Sequence, residues 1–213
     1  MQLKLMSDMK EINNFEILRL FINYETSFVK DNKKSIIWIW VVMRAKDNAE
    51  HKERTIKSYH IQSLEDFDYK KDEIIELCKR YHCRAYICVN PKPVLNVLFS
   101  LQSIVMENIK NEVNGGSSML LKGMLDSAVM KSGSNGNKFW IIDVDTEDEE
   151  EQAIIFDKVN NAQSGHEHNI IECIKTVHGK HFITHPFDTR VLEGTGVEAK
   201  KEGLTLLYAY LDE

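Results

Sequence analysis

The chain lacks several features that nucleotide-binding and membrane proteins commonly carry. It has neither a G-x-x-x-x-G-K-[ST] loop nor a G-x-G-x-x-G loop, so two common phosphate-binding folds lose their main sequence support. Its longest apolar run, residues 36–43, is too short to cross a membrane. Only four cysteines are present and none forms a C-x-x-C pair, which argues against a disulfide framework and a cysteine zinc cluster.

Positive charge is also not in excess. The 27 Lys and Arg residues are outnumbered by 33 Asp and Glu residues, which gives a formal net charge of −6. This balance argues against a protein that coats nucleic acid through bulk charge, although it leaves room for a local basic groove. The first residues have no apolar core of the kind a secretory signal needs, so we expect a cytoplasmic location.

The length and the hydrophobic pattern indicate a globular chain with a substantial core. With 213 residues and 43% hydrophobic residues, we expect one domain over 1–213, with an N-terminal subdomain at 1–68 and a catalytic-like core at 69–213. Periodicity predicts helices at 11–22, 72–81, 93–109, 117–130 and after 146, and strands at 35–43, 84–90, 139–142, 169–175 and 180–184. Residues 48–57 are charged and loop-like, and residues 204–211 fit a strand or a buried helix. Because strands and helices alternate, the fold class is α/β or α+β.

Asp143-Val144-Asp145 follows the strand-like run of residues 139–142 and is the main candidate site. Side chains i and i+2 of a strand share a face, so both carboxylates point the same way. Two negative charges this close repel unless a cation or a proton lies between them. Such a pair suits Mg²⁺ or Mn²⁺, which prefer hard oxygen ligands. The residues alone leave two interpretations open, a metal site and a polar strand end.

Most of the acidic residues after this pair have a structural explanation. Thr146 and Glu149 fit a capping box, and the acids at 147–151 then occupy the first turn of a helix, where the helix dipole favours them. Asp143 and Asp145 precede this cap, so it does not account for them.

The histidines downstream form the second candidate site. His181 and His185 share a strand face but lie roughly 13 Å apart along it, which is too far for both to bind one zinc ion. His178 lies in the turn before this strand. His181, next to a glycine turn and the cationic Lys180, better suits phosphate recognition.

Arg84 and Lys92 flank the predicted strand at 84–90. Both side chains are candidates to face a nucleotide or a template phosphate, and ordinary surface charge is the alternative.

The segment FWIIDVD (139–145), followed after a helix by TVHGKHFI (176–183), resembles the archaeo-eukaryotic primase superfamily. That superfamily includes small phage- and plasmid-encoded primase-polymerases. Its first motif is a strand that ends in Asp-x-Asp, and its second is a glycine-containing turn that leads to a histidine on a strand. The resemblance covers roughly residues 70–210, although its specific part is about a dozen residues.

The resemblance implies an α+β fold in which helices flank a mixed or antiparallel central sheet. It implies a nucleotidyltransferase that acts on nucleic acid with nucleoside triphosphates and with Mg²⁺ or Mn²⁺. Asp143 and Asp145 would be the metal ligands and His181 would contact the triphosphate, with Lys180, Arg84 and His178 as further nucleotide-binding residues.

The third motif of the superfamily, a metal-binding acid on a later strand, has no clear copy in this chain. Asp188 is our candidate for this ligand, with Glu198 as another. Two alternatives therefore stay open beside the primase-polymerase: a metal-dependent nuclease, which shares the two-metal chemistry, and a non-catalytic binding module on the same fold.

Overall fold

The computed structural model describes residues 9–30, 34–47, 52–117, 121–134 and 138–212. In chain order the elements are β1 (Met9–Asn13), α1 (Phe15–Glu25), β2 (Ser35–Met43), β3 (Arg54–Ile61), α2 (Leu64–Tyr81), β4 (Arg84–Cys88), β5 (Lys92–Pro93), α3 (Val94–Val113), α4 (Leu121–Lys131), β6 (Trp140–Val144), α5 (Glu149–Asn160), β7 (Ile170–Lys175), β8 (Lys180–Thr184), a 3₁₀ turn (Thr189–Leu192), β9 (Ala199–Lys200) and β10 (Leu204–Asp212).

These strands form two sheets. The larger sheet has the order β1-β10-β4-β2-β3, with β5 also paired to β2, and the smaller sheet has the order β7-β8-β6-β9. Every strand pairing within the described residues is antiparallel. The α+β class is therefore confirmed, with two antiparallel sheets in place of one central sheet.

The N-terminal strands belong to the same sheet as later parts of the chain. β1 pairs with β10, and β2 pairs with β4. One hydrophobic core extends from Phe15 to Tyr208 and includes Ile141, Ile174 and Ile183 of the smaller sheet. Residues before 68 and after 69 thus share both a sheet and a core.

Both faces of the larger sheet are covered, which explains the continuous apolar run of β2. Ile37, Ile39 and Val41 pack with α1 and α2 on one face. Ile36 and Trp38 alternate with them and pack with α3 and α4 on the other face. The outer face of the smaller sheet packs against α5. Within the described residues, no helix combines the length and the apolar character that crossing a membrane requires.

Several element predictions are confirmed. The strands predicted at 35–43 and 180–184 are β2 and β8 with the same bounds, and residues 204–211 form a strand, not a helix. The predicted helix at 72–81 is the C-terminal part of α2, which begins at Leu64. The helix predicted at 117–130 corresponds to α4, with residues 118–120 outside the described residues.

Two predictions in the N-terminal half are confirmed only in part. The helix predicted at 11–22 begins only at Phe15, because β1 pairs with β10 and the Asn13 side chain accepts a hydrogen bond from the Phe15 N–H at 3.1 Å. The loop predicted at 48–57 gives way to β3 from Arg54 onward, which pairs with β2. Residues 48–51 of that loop lie outside the described residues.

The predicted capping box at Thr146 and Glu149 is wrong. Helix α5 begins at Glu149, and its N-cap is Asp148, whose carboxylate accepts hydrogen bonds from the N–H groups of Glu150 at 2.8 Å and Glu151 at 3.3 Å. The Thr146 hydroxyl instead accepts a bond from the Asp148 N–H at 3.2 Å, just outside the helix.

We expect Asp148→Ala to lower the free energy of unfolding by about 1 kcal/mol, because it removes the only side-chain oxygen seen to cap α5 in the described chain. Thr146→Ala is the matched comparison and should cost less. Urea denaturation of both variants measures the difference. Equal losses would show that Thr146 shares the capping role.

Candidate active site

A cavity of about 490 Å³ is lined by residues of both sheets. Trp40 and Tyr86 come from β2 and β4 of the larger sheet, and Asp143 and His181 come from β6 and β8 of the smaller sheet. Asp145, directly after β6, also lines this cavity. The fold thus brings two of the predicted metal ligands, Asp143 and Asp145, and the predicted triphosphate contact, His181, to one place.

Asp143 and His181 are direct partners across the β6–β8 ladder. His181 Nε2 lies 3.1 Å from one carboxylate oxygen of Asp143, and Lys200 Nζ of β9 lies 2.6 Å from the other. His181 is buried, and its Nδ1 lies 3.0 Å from the Thr205 hydroxyl. Because a carboxylate only accepts, Nε2 must carry the proton of the bond to Asp143.

The Asp143 carboxylate is stabilised in its ionised form. The hydrogen bond from His181, followed by that from Lys200, holds the pKa of Asp143 well below its usual range, although partial burial opposes this. Asp143 is therefore a permanent negative charge in the cavity at any physiological pH.

This pKa has a consequence for stability. A carboxyl with a depressed folded pKa stabilises the fold above its unfolded pKa of about 3.9, and this contribution is lost as the pH falls toward the folded pKa. We expect the difference in unfolding free energy between wild type and Asp143→Asn to shrink from pH 5.5 to pH 3. Urea denaturation at both pH values measures it. An unchanged difference would contradict the ionised, paired state of Asp143.

The turn between β7 and β8 holds His178 beside the same cavity. His178 is exposed, and its Nδ1 lies 4.0 Å from a carboxylate oxygen of Glu147. Gly179 follows it, and a Cβ built there would lie 2.0 Å from the Val144 carbonyl oxygen and 2.8 Å from that of Thr146. Only glycine lets this turn lie directly against the segment that carries Asp145.

Other predicted residues lie elsewhere or are already paired. Lys180 is exposed and does not line the cavity. Because it directly precedes His181 on β8, its side chain projects from the opposite face of the strand. Asp188 caps the 3₁₀ turn and accepts bonds from Arg190 Nε at 2.9 Å, outside the cavity. Lys92 is buried and bonds Glu202 at 2.5 Å, also outside it.

Arg84 lines the cavity but is engaged in a buried ion pair. Its Nε donates to Asp47 at 2.7 Å, and its second terminal nitrogen bonds the other oxygen of the same carboxylate. The side chains of both residues are less than 10% exposed. The pairing fixes Asp47, just after β2, at the edge of the cavity.

Sequence reasoning missed the acids that the larger sheet contributes. Asp47 and Glu53 line the cavity, whereas Asp188 and Glu198 do not. Asp47 lies in a charged segment after β2, and only the pairing of β2 with β4 brings it to Arg84. No local pattern distinguishes it from ordinary surface charge.

The carboxylate oxygens at this site are of the type that binds Mg²⁺. Mg²⁺ is commonly held by one or two carboxylates together with water and substrate phosphates, and Asp143 and Asp145 supply such carboxylates. The ammonium of Lys200 already occupies a cation position on Asp143. Among the described residues, no three His, Cys, Asp or Glu side chains converge as a complete protein-only site. A bound ion would therefore depend on phosphate and water for its remaining ligands.

No protein family model, no curated protein and no solved structure matches the chain.

Proposed function

We propose that this protein is a primase-polymerase-like nucleotidyltransferase, which extends nucleic acid from nucleoside triphosphates with Mg²⁺ or Mn²⁺. The observation that carries the proposal is the direct pairing of Asp143 with His181 across β6 and β8, beside one cavity that also holds Asp145. These are the residues that the resemblance to primases assigns to metal and triphosphate. A nucleic acid template and a cytoplasmic location belong to the same proposal.

In this proposal Asp143 and Asp145 hold the divalent ion. When bound, such an ion neutralises triphosphate charge and favours ionisation of the attacking 3′-hydroxyl. His181 uses both ring nitrogens within the protein, so in this arrangement it orients the Asp143 carboxylate. Arg44 and Lys46, which also line the cavity, then supply positive charge that faces the triphosphate, and His178 offers a ring nitrogen as a hydrogen-bonding group.

A non-catalytic binding module is the second candidate, and a specific observation favours it. Both oxygens of Asp143 are already bonded to cationic or N–H donors of the protein, and the predicted third acid, Asp188, lies outside the cavity. A site that has lost its third ligand while keeping its fold would have this arrangement.

One assay separates the candidates. A labelled primer annealed to a template is incubated with Mn²⁺, with and without nucleoside triphosphates. Growth of the primer that requires nucleotides supports the polymerase, and shortening without nucleotides indicates a nuclease. No change in length, together with no calorimetric signal for Mn²⁺ or nucleotide, indicates the non-catalytic module and refutes the proposal.

Lys200 offers a direct test of the metal position. If its ammonium and a divalent ion compete for Asp143, we expect Lys200→Gln to tighten Mn²⁺ binding by up to about fivefold, the equivalent of a partly exposed ion pair of ~1 kcal/mol. Lys201→Gln is the matched control, because Lys201 lies over the Trp140 ring and does not line the cavity. Calorimetric titration with Mn²⁺ alone measures both. Unchanged or weaker binding in Lys200→Gln would place the ion elsewhere.

A further inference from the structure

The part of the cavity formed by the larger sheet is aromatic. Trp40 of β2 and Tyr86 of β4 are direct partners across the ladder, and their ring centroids lie 6.4 Å apart. Trp40 is also stacked on Trp38, with 5.9 Å between centroids and 15° between ring planes. The primase resemblance assigns no role to any of these rings.

The position of the rings on the sheet explains why they reach the cavity. Trp38 lies under α3 and α4 and is buried with Val97 and Ala128. Trp40 follows two residues later on the same face and packs against the edge of that cluster. There the helical cover ends, and Trp40 and Tyr86, both half-buried, line the cavity. The face of the larger sheet that α3 and α4 cover at Trp38 is thus open to a ligand at Trp40.

Both rings are fixed by their polar atoms. The Trp40 indole N–H donates to the Thr55 hydroxyl at 2.9 Å, and the Tyr86 hydroxyl accepts a bond from Arg44 at 2.9 Å. Because the Trp40 indole N–H and the Tyr86 hydroxyl oxygen are both bonded within the protein, the rings offer the cavity mainly apolar carbon surface in a set orientation. Such preorganised rings suit a flat, apolar ligand face.

The charges around the rings narrow the class of ligand. Arg44 and Lys46 line the cavity next to the aromatic surface, and Asp143 and His181 line it from the smaller sheet. Asp47 and Glu53 line it as well, and Asp47 is paired with Arg84. With a divalent ion held at Asp143 and Asp145 as proposed, a ligand that uses both parts carries a flat ring and negative charges that face the ion, Arg44 and Lys46. The volume of about 490 Å³ lies within the range of small-molecule and cofactor sites.

We propose that Trp40 and Tyr86 form the base-binding platform of the cavity, on which the nucleobase of an incoming nucleoside triphosphate stacks. This inference rests on the proposed nucleotidyltransferase function. Stacking uses the π-face that every base has, so the platform accepts all four bases and binds purines more tightly than pyrimidines because of their larger area.

The test compares two ligands on the full-length chain. ATP and inorganic triphosphate are titrated by calorimetry into wild type, Trp40→Leu and Trp40→Phe. We expect Trp40→Leu to weaken ATP binding by about 5- to 100-fold and to leave triphosphate binding unchanged, because only the base contact is lost. Trp40→Phe keeps an aromatic face and should retain most of the ATP affinity. Phe99→Leu, which changes an exposed aromatic residue of α3 outside the cavity, is the control.

A second measurement covers the case in which Trp40→Leu folds poorly. Stacking of a base on Trp40 should quench tryptophan fluorescence in wild type, and Trp40→Phe should bind ATP with a clearly smaller quench. An equal quench in both proteins would overturn the platform.

The outcomes separate this inference from the function on which it rests. If wild type binds triphosphate and ATP, and Trp40→Leu binds ATP equally well, the platform is refuted while the nucleotide site stands. If wild type binds neither ligand, the proposed function fails and the platform fails with it. If a single-stranded oligonucleotide binds in a Trp40-dependent manner while ATP does not, the rings serve a strand, and the assignment to the incoming nucleotide is overturned.

Discussion

Asp143→Asn is expected to reduce Mn²⁺-dependent nucleotide incorporation by at least about 100-fold, equivalent to roughly 3 kcal/mol of transition-state stabilisation. The substitution keeps the size of the side chain and an oxygen that can accept the bond from His181 Nε2. It removes the negative charge that, in the proposed function, attracts the divalent ion. Primer extension at saturating nucleotide, with wild type beside the variant, measures the loss.

Asp157→Asn provides the matched control for this result. Asp157 is an exposed carboxylate on α5 and does not line the cavity, so the same chemical change there should leave incorporation within about twofold of wild type. Calorimetry with Mn²⁺ gives an independent readout, because Asp143→Asn should also weaken metal binding. If Asp143→Asn incorporates nucleotides at the wild-type rate, the assignment of the active site is wrong.

Gly179→Ala is expected to lower the free energy of unfolding by about 2–3 kcal/mol and to reduce incorporation as well. The added Cβ would lie 2.0 Å from the Val144 carbonyl oxygen, and both groups belong to the backbone, so neither can rotate away. The β7–β8 turn or the segment with Asp145 must shift. Urea denaturation and primer extension measure the two effects on the same preparation.

Gly165→Ala is the comparison for this variant. A Cβ at Gly165 would have no atom within 4 Å, so stability should stay the same or rise slightly. A Gly179→Ala protein as stable as Gly165→Ala would mean that the turn does not lie against Val144 as described.

The hydrophobic pattern is most informative for strands that are buried on both faces. β2 was found with its bounds because α1 and α2 cover one face and α3 and α4 cover the other, which requires an uninterrupted apolar run. β3 was missed because it is an edge strand with Lys57, Ser58 and His60 among its residues. Its strand conformation comes from pairing with β2, which no local pattern records.

Only the site residues that the smaller sheet contributes could be predicted from the sequence. Asp143, Asp145 and His181 follow from motif order and strand alternation, and the structure places all three beside one cavity. The same alternation rule puts Lys180 on the face opposite His181, a signal that the sequence already contained. Trp40 carried no such signal, because its place in the cavity depends on where the cover of α3 and α4 ends.

The two bonds to Asp143 differ in their sensitivity to ionic strength. The Lys200 side chain is 51% exposed, whereas the His181 side chain is 9% exposed. Dissolved salt screens exposed pairs far more than buried ones, with a Debye length of about 8 Å at physiological ionic strength. Rising salt therefore weakens the Lys200–Asp143 ion pair before the bond from His181, which keeps the orientation of the carboxylate. If Asp143 binds a divalent ion as proposed, the ionic composition of the surroundings sets how readily that ion replaces Lys200 at the carboxylate.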